Sequence, residues 1–328
     1  HFLNFLFLPL SLLYFELFDD SKFDYYNLKF AYVSIFFLIL SLNHRNLTYS
    51  SNKNLSLKFS YFINVVILRI VVCLPLLVVS IIYNIPINLL ALAFLISLND
   101  GANAILLKNK LFKYALIVES IKYIGLYAVL QYESIIPLML ILMGATSLAS
   151  LLFLVKKIKP TKSLINFNPK IAFSYKYALM LPIFDFIIFN TPRFFVENPD
   201  YSATIRIIFY ISMFSTPMLI YFQKRLAFNE NLNFVNIRKT SIFLTIVFLI
   251  ILQAGYIWAK IFIGILIYLL YSLVNYLNYK YERHKPLFKS CLVATAISTT
   301  FFFYPKIDII FGAMLLRTNY LVFVDGKK

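Results

Sequence analysis

Residues 60–83 read SYFINVVILRIVVCLPLLVVSIIY. The short break Asn84-Ile85-Pro86-Ile87-Asn88 comes next, and a second apolar run fills 89–107. A helix needs about 20 mostly apolar residues to cross the hydrocarbon core of a bilayer. The first run is long enough and carries one charged side chain, Arg69. The break after it has the length and composition of a connection between antiparallel helices. This stretch therefore predicts two membrane-spanning helices back to back, and the same alternation continues in both directions along the chain.

Composition agrees with that reading. The 328 residues are 61% hydrophobic, 18% aromatic and 14% charged, with 7 glycines and a mean hydropathy of +0.79. Water-soluble domains average roughly 45–50% apolar and about 25% charged residues. Spans are expected at 2–17, 28–42, 60–83, 89–107, 114–130, 134–155, 173–190, 205–222, 240–258, 261–278, 290–304 and 309–324. Twelve spans consume roughly 240 residues, which leaves no room for a sizeable extramembrane domain. That argues against a soluble catalytic module, a nucleic-acid-binding module or a secreted disulfide scaffold. Cys73 and Cys291 lie far apart in apolar runs, as packing residues do. The chain opens at His1 and not Met, so a short stretch is expected to precede it. The first apolar run can act as its own insertion signal.

The expected fold class is an all-α integral membrane protein, with about 12 transmembrane helices in two six-helix bundles. The longest polar connection, residues 156–172, opens with Lys156-Lys157-Ile158-Lys159-Pro160-Thr161-Lys162 and comes after the sixth expected span. It divides the chain into an N-terminal bundle (1–156), a basic cytoplasmic linker (157–172) and a C-terminal bundle (173–328). Transporters built from two such bundles rock about a central site. Pro9 and Pro182 fall at similar places in the two halves, as paired bending helices would need, although Pro75, Pro137 and Pro217 also lie within spans.

The formal net charge is +17, from 31 Lys and Arg against 14 acids. Topology accounts for most of it. One alternate set of loops, from Arg45, Lys53 and Lys58 through to Lys327 and Lys328, holds 22 basic residues. The opposite set holds only Lys22, Arg193, Lys260 and Lys306, beside Asp19, Asp20, Asp24, Glu133, Glu197, Asp200 and Asp308. Cytoplasmic loops accumulate Lys and Arg, so both termini are expected in the cytoplasm, and no nucleic acid is needed to explain the charge.

What remains are ionisable residues inside spans, where charge is costly and faces a bundle interior or a cavity. Lys29, Arg206 and Glu16 sit near helix ends and can reach the headgroups. Arg69 lies about 13 Å into its span at 1.5 Å per residue, and Lys122 and Arg317 are near the middle of theirs. Glu119 precedes Lys122 by three residues, on the same helix face, so that pair can neutralise itself. Arg69 and Arg317 need a distant partner, a water-filled lumen or an anionic ligand. Asp185, one turn from Pro182, can serve as an arginine counter-ion or as a proton or Na⁺ coupling group. Arginines facing a lumen would suit a diphosphate, because guanidinium keeps its charge and presents a bidentate fork to phosphate oxygens. No metal-ligand spacing is present, since His1, His44 and His284 are scattered. No Gly-rich phosphate loop is present either, so neither a cofactor nor ATP-driven chemistry is expected.

Three segments carry a family resemblance: Asn190-Thr191-Pro192-Arg193-Phe194-Phe195-Val196-Glu197, Gln223-Lys224-Arg225-Leu226, and Tyr61 followed by Arg69. With the span pattern, they resemble the polysaccharide flippases of the multidrug/oligosaccharidyl-lipid/polysaccharide exporter superfamily, the O-antigen-type lipid-linked oligosaccharide translocases. Asn198-Pro199-Asp200-Tyr201 stands where members often place a glycine. The resemblance implies two bundles around a cationic lumen, alternating access, and an undecaprenyl-diphosphate-linked glycan as substrate. It also implies a bacterial inner membrane and a role in surface polysaccharide (lipopolysaccharide O-antigen) synthesis, beside a polymerase and glycosyltransferases.

On that reading Arg69, Lys122 and Arg317 hold the diphosphate. Arg193 meets it on exit, pairs with Glu197 at an outer gate, or caps its helix. Asp185 and Glu119 act as coupling groups or counter-ions. The protein would be a transporter and not an enzyme. Two alternatives stand beside it. One is an ion-coupled exporter of the same superfamily, which would favour lumen acids over arginines. The other is a multi-pass polysaccharide polymerase or glycosyltransferase, which would need a large outer loop.

Overall fold

The computed structural model describes residues 20–41, 59–157, 234–254, 257–280, 284–298 and 306–324. It also describes residues 10–12, 14, 15, 17, 18, 207, 211, 215 and 300. Among them the chain is helical. The helices are α1 (Asp20–Ser41), α2 (Phe59–Ile82), α3 (Ile87–Lys108), α4 (Phe112–Val129), α5 (Ile135–Lys157), α6 (Phe234–Ala254), α7 (Ile257–Lys280), α8 (His284–Ser298) and α9 (Ile307–Val324). Five stretches are long and apolar enough to cross a membrane: Phe62–Ile82, Ile87–Lys108, Ile135–Lys157, Asn236–Gln253 and Trp258–Asn275. Tyr25–Ser41 and Pro286–Ser298 are shorter apolar helices. Expected spans 2–17, 173–190 and 205–222 fall largely or wholly outside the described residues. The chain divides into two compact units, His1–Pro182 and Ile183–Lys328.

In the first unit α3 is the central helix. It packs against α1, α2, α4 and α5, and 78% of its most apolar window is buried, against 22% for α2. The sequence explains why α3 takes that place. Gly101, Ala102 and Ala104 let neighbouring backbones come close, while α2 presents Ile70, Val71, Leu74, Val78 and Ile82 outward.

The turns on either side of α3 share one design. After α2, Ile85 N–H donates to Ser80 C=O and Asn84 N–H to Ile81 C=O. After α3, Leu111 N–H donates to Leu106 C=O and Lys110 N–H to Leu107 C=O. Each pair of bonds closes a helix end with one residue in the left-handed region, here Asn84 (φ 52°) and Lys110 (φ 60°). Asparagine tolerates that conformation, whereas lysine has no such aptitude. Gly125 allows α4 to lie close to α5, since a Cβ there would run into Leu142. At the α4–α5 turn, Gln131 donates to the Tyr14 hydroxyl (2.9 Å) and Tyr26 donates to Glu133 C=O (3.4 Å).

In the second unit α9 is central, packed against α6, α7 and α8. Gly264 of α7 faces Phe311 of α9, and a Cβ there would also meet Ile211 at 2.6 Å. Lys260 and Asp308, near the starts of α7 and α9, form a half-buried ion pair at 2.7 Å. Asn319 of α9 accepts a hydrogen bond from Ser241 of α6 (2.6 Å) and donates to Thr245 (3.0 Å).

Candidate functional site

Among its described residues the first unit buries four charged side chains in its interior, Arg69, Asp100, Glu119 and Lys122, each at most 3% exposed. Arg69 projects from α2 and reaches two neighbouring helices. Its Nε donates to Leu40 C=O (3.0 Å), one Nη to Ser97 C=O (2.7 Å) and the other to Ser41 C=O (3.4 Å). Leu40 and Ser41 are the last described residues of α1. The guanidinium donates to main-chain carbonyls of two helices, dipoles that are fixed in place. Burial of such a cation in an apolar span is tolerable because the fork is filled by fixed dipoles.

Lys122 and Glu119 form an ion pair at 2.6 Å on one face of α4. The Lys122 ammonium also lies 5.2 Å from the centroid of the Tyr123 ring. Glu119 accepts a hydrogen bond from Asn103 Nδ2 (2.5 Å), and Asn103 donates to Asn99 Oδ1 (3.2 Å). Asn99 donates to Ser150 Oγ (3.4 Å), and Ser150 sits within reach of Asn103 Oδ1 (3.4 Å) and Thr146 C=O (3.0 Å). Ser147 donates to Leu95 C=O (3.1 Å). A continuous polar seam thus runs through α3, α4 and α5 inside apolar surroundings. Low local dielectric makes each of these bonds strong and each unmade one costly.

In the second unit Arg317 of α9 is 1% exposed. Its Nε donates to Ser290 Oγ of α8 (3.3 Å), and its guanidinium bonds the Tyr271 hydroxyl of α7 while lying 4.6 Å from that ring's centroid. Like Arg69, it ties three helices together, here through the hydroxyls of Tyr271 and Ser290.

The six residues expected at the site are thus only partly gathered. Glu119 and Lys122 come together, Arg69 sits in the same unit against α1 and α3, and Arg317 lies in the other unit. Arg193 and Asp185 are outside the described residues. Sequence reasoning passed over Asn99, Asn103, Thr146, Ser147 and Ser150, and in the second unit Tyr271 and Ser290. A signal for the first group was present: Asn99 and Asn103, like Thr146 and Ser150, are four apart and so share a helix face. Among the described residues no group of three or more His, Cys, Asp or Glu could hold a metal. No protein-family model, curated protein or solved structure matches this chain.

Proposed function

We propose that this protein is a bacterial inner-membrane flippase that carries an undecaprenyl-diphosphate-linked oligosaccharide from the cytoplasmic to the outer leaflet by alternating access. It would have both termini in the cytoplasm and work beside the polymerase and glycosyltransferases of surface polysaccharide synthesis. The observation that supports this reading is the burial of two guanidiniums, Arg69 and Arg317, within helices of a strongly apolar chain. Guanidinium keeps its charge in such surroundings and matches phosphate oxygens geometrically. The short connections at Tyr83–Pro86 and Leu130–Ser134 leave no space there for the folded outer loop that a polymerase or glycosyltransferase would need.

The substrate would have to compete with the partners each arginine already holds. Exchanging a hydroxyl for a phosphate oxygen costs little, because the hydroxyl can rotate in place and donate its own O–H to the incoming phosphate. Exchanging a main-chain carbonyl of α1 requires α1 to shift. Arg317 is therefore the first contact on this reading, and Arg69 engages only in a state where the end of α1 has moved. An ion-coupled exporter of the same superfamily is the second reading. The buried carboxylates Asp100 and Glu119 favour it, since coupling groups are acids in such positions.

The test is a leaflet-accessibility assay on reconstituted vesicles containing the lipid-linked glycan. Wild type should expose the glycan on the far side, and Arg317→Ala should abolish that while the protein stays folded. Full flipping by both Arg317→Ala and Arg69→Ala would refute the assignment. Export of a small cation, coupled to a gradient and lost in Glu119→Gln, would support the exporter.

A further inference from the structure

We propose that the adjoining ends of α4 and α5 form a docking site for an anionic phospholipid. Lys113, Lys156 and Lys157 would hold its phosphate, while its acyl chains lie along the exposed apolar sides of the two helices. The proposal stands independently of the flippase reading.

The start of α4 and the end of α5 meet at Tyr114. The Lys157 ammonium lies 5.0 Å from the centroid of that ring, and Lys113, Lys156 and Lys157 all act electrostatically on its phenol. All three lysines are exposed. The carboxylates carried by α3 and α4, Asp100 and Glu119, are buried, with Glu119 engaged by Lys122. Three ammoniums carried on the adjoining ends of two packed helices repel one another, and a bound anion removes that repulsion. A general excess of lysine on one side of the membrane requires only that the charges share a side. It does not require three of them to meet at the adjoining ends of two packed helices.

Tyr114 is held in place from within. Its ring packs 4.9 Å from Phe153, and both rest on a buried cluster that includes Ile105, Leu106, Ala115 and Leu154. The charged group is thus set on a rigid base. Apolar surface begins immediately beside it, with Leu116 65% and Leu152 61% exposed, and continues through Ile124 and Ile141. A free phosphate would gain nothing from that surface. A phospholipid gains from both parts, and its headgroup and chains meet at the same boundary as the lysines and the leucines.

The experiment uses the full chain in phosphatidylcholine nanodiscs titrated with phosphatidylglycerol, binding being read from the rise in thermal midpoint. A basic residue at an anionic surface contributes about fivefold in affinity. The Lys113→Gln/Lys156→Gln/Lys157→Gln variant should therefore bind phosphatidylglycerol on the order of 100-fold more weakly. Lys157→Gln alone should lose about fivefold. Arg238→Gln/Lys239→Gln/Lys289→Gln, with the same change in charge, should bind as wild type does. Equal losses in the two triple variants would overturn the site in favour of diffuse charge. Displacement of the lipid by excess inorganic phosphate would overturn it too, by showing that free phosphate is the ligand. Equal effects of phosphatidylcholine and phosphatidylglycerol would do the same.

Discussion

Replacing Arg69 by alanine isolates what a buried guanidinium contributes to the first unit. Three acceptors lose their donor, but not equally. Ser97 C=O lies in mid-α3, inside the helical ladder, whereas Leu40 and Ser41 are the last described residues of α1. A hydrogen bond to a charged group contributes about 1.5–3 kcal/mol, and Arg69 makes two short ones, to Leu40 and Ser97. A loss of about 3–5 kcal/mol is therefore expected for Arg69→Ala, which for a unit of this size lowers the thermal midpoint by about 6–20 °C. Arg69→Lys reaches fewer of the carbonyls and should fall between alanine and wild type. The assay is thermal loss of helical circular dichroism on solubilised protein. In a Cys73→Ser background, dye labelling of Cys291, buried in the second unit, reports on that unit separately. A midpoint for Arg69→Ala within about 2 °C of wild type, corresponding to less than about 1 kcal/mol, would refute the helix tie. Arg69 would then have to owe its place to something it binds.

Three further outcomes are expected. In the Glu119–Lys122 pair, Lys122→Met and Glu119→Gln should each destabilise by about 2–4 kcal/mol, and the double variant by less than their sum. Additive losses in the thermal cycle would mean the two do not act as a pair. Lys110→Gly should raise stability by about 0.5–1 kcal/mol, because glycine enters the left-handed region without a Cβ penalty, and a lowered midpoint would contradict the assigned φ. Gly264→Ala should cost about 1–3 kcal/mol through overpacking against Phe311 and Ile211, to be checked in the same melts.

Helix positions in the first unit could be read closely because punctuation marks them. The run 60–83 becomes α2 at Phe59–Ile82, and 89–107 becomes α3 at Ile87–Lys108. Asn84 can adopt the left-handed cap and Pro86 suits a helix start, so both ends declare themselves. α1 and α6 were harder. Each begins six to eight residues before its apolar run, at Asp20 and Phe234, since backbone hydrogen bonding continues where composition has already turned polar. Apolar composition marks the membrane-embedded part of a helix and not its ends. The charged residues of α4, Lys113, Glu119 and Lys122, separate it from the five strongly apolar stretches, although it packs against α3 and α5 like a member of the same bundle.

The identities of the buried charges were legible, and so was the Glu119–Lys122 pair, but the partners of the two arginines were not. Arg69 binds main-chain carbonyls, and a carbonyl has no side-chain signature to find. The Asn99–Asn103–Glu119–Ser150 seam could be seen only as a faint period of four in otherwise apolar runs. That difference bears on how intramembrane cations are interpreted. In the first unit, the buried Arg69 and Lys122 are matched in number by Asp100 and Glu119, so formal charge there sums to zero among the described residues. A count of cations alone would have implied a positive interior. The two arginines also differ in how firmly they are held. Arg69 satisfies carbonyls that cannot rotate away, so releasing it requires a backbone movement. Arg317 holds the hydroxyls of Tyr271 and Ser290, which can reorient in place.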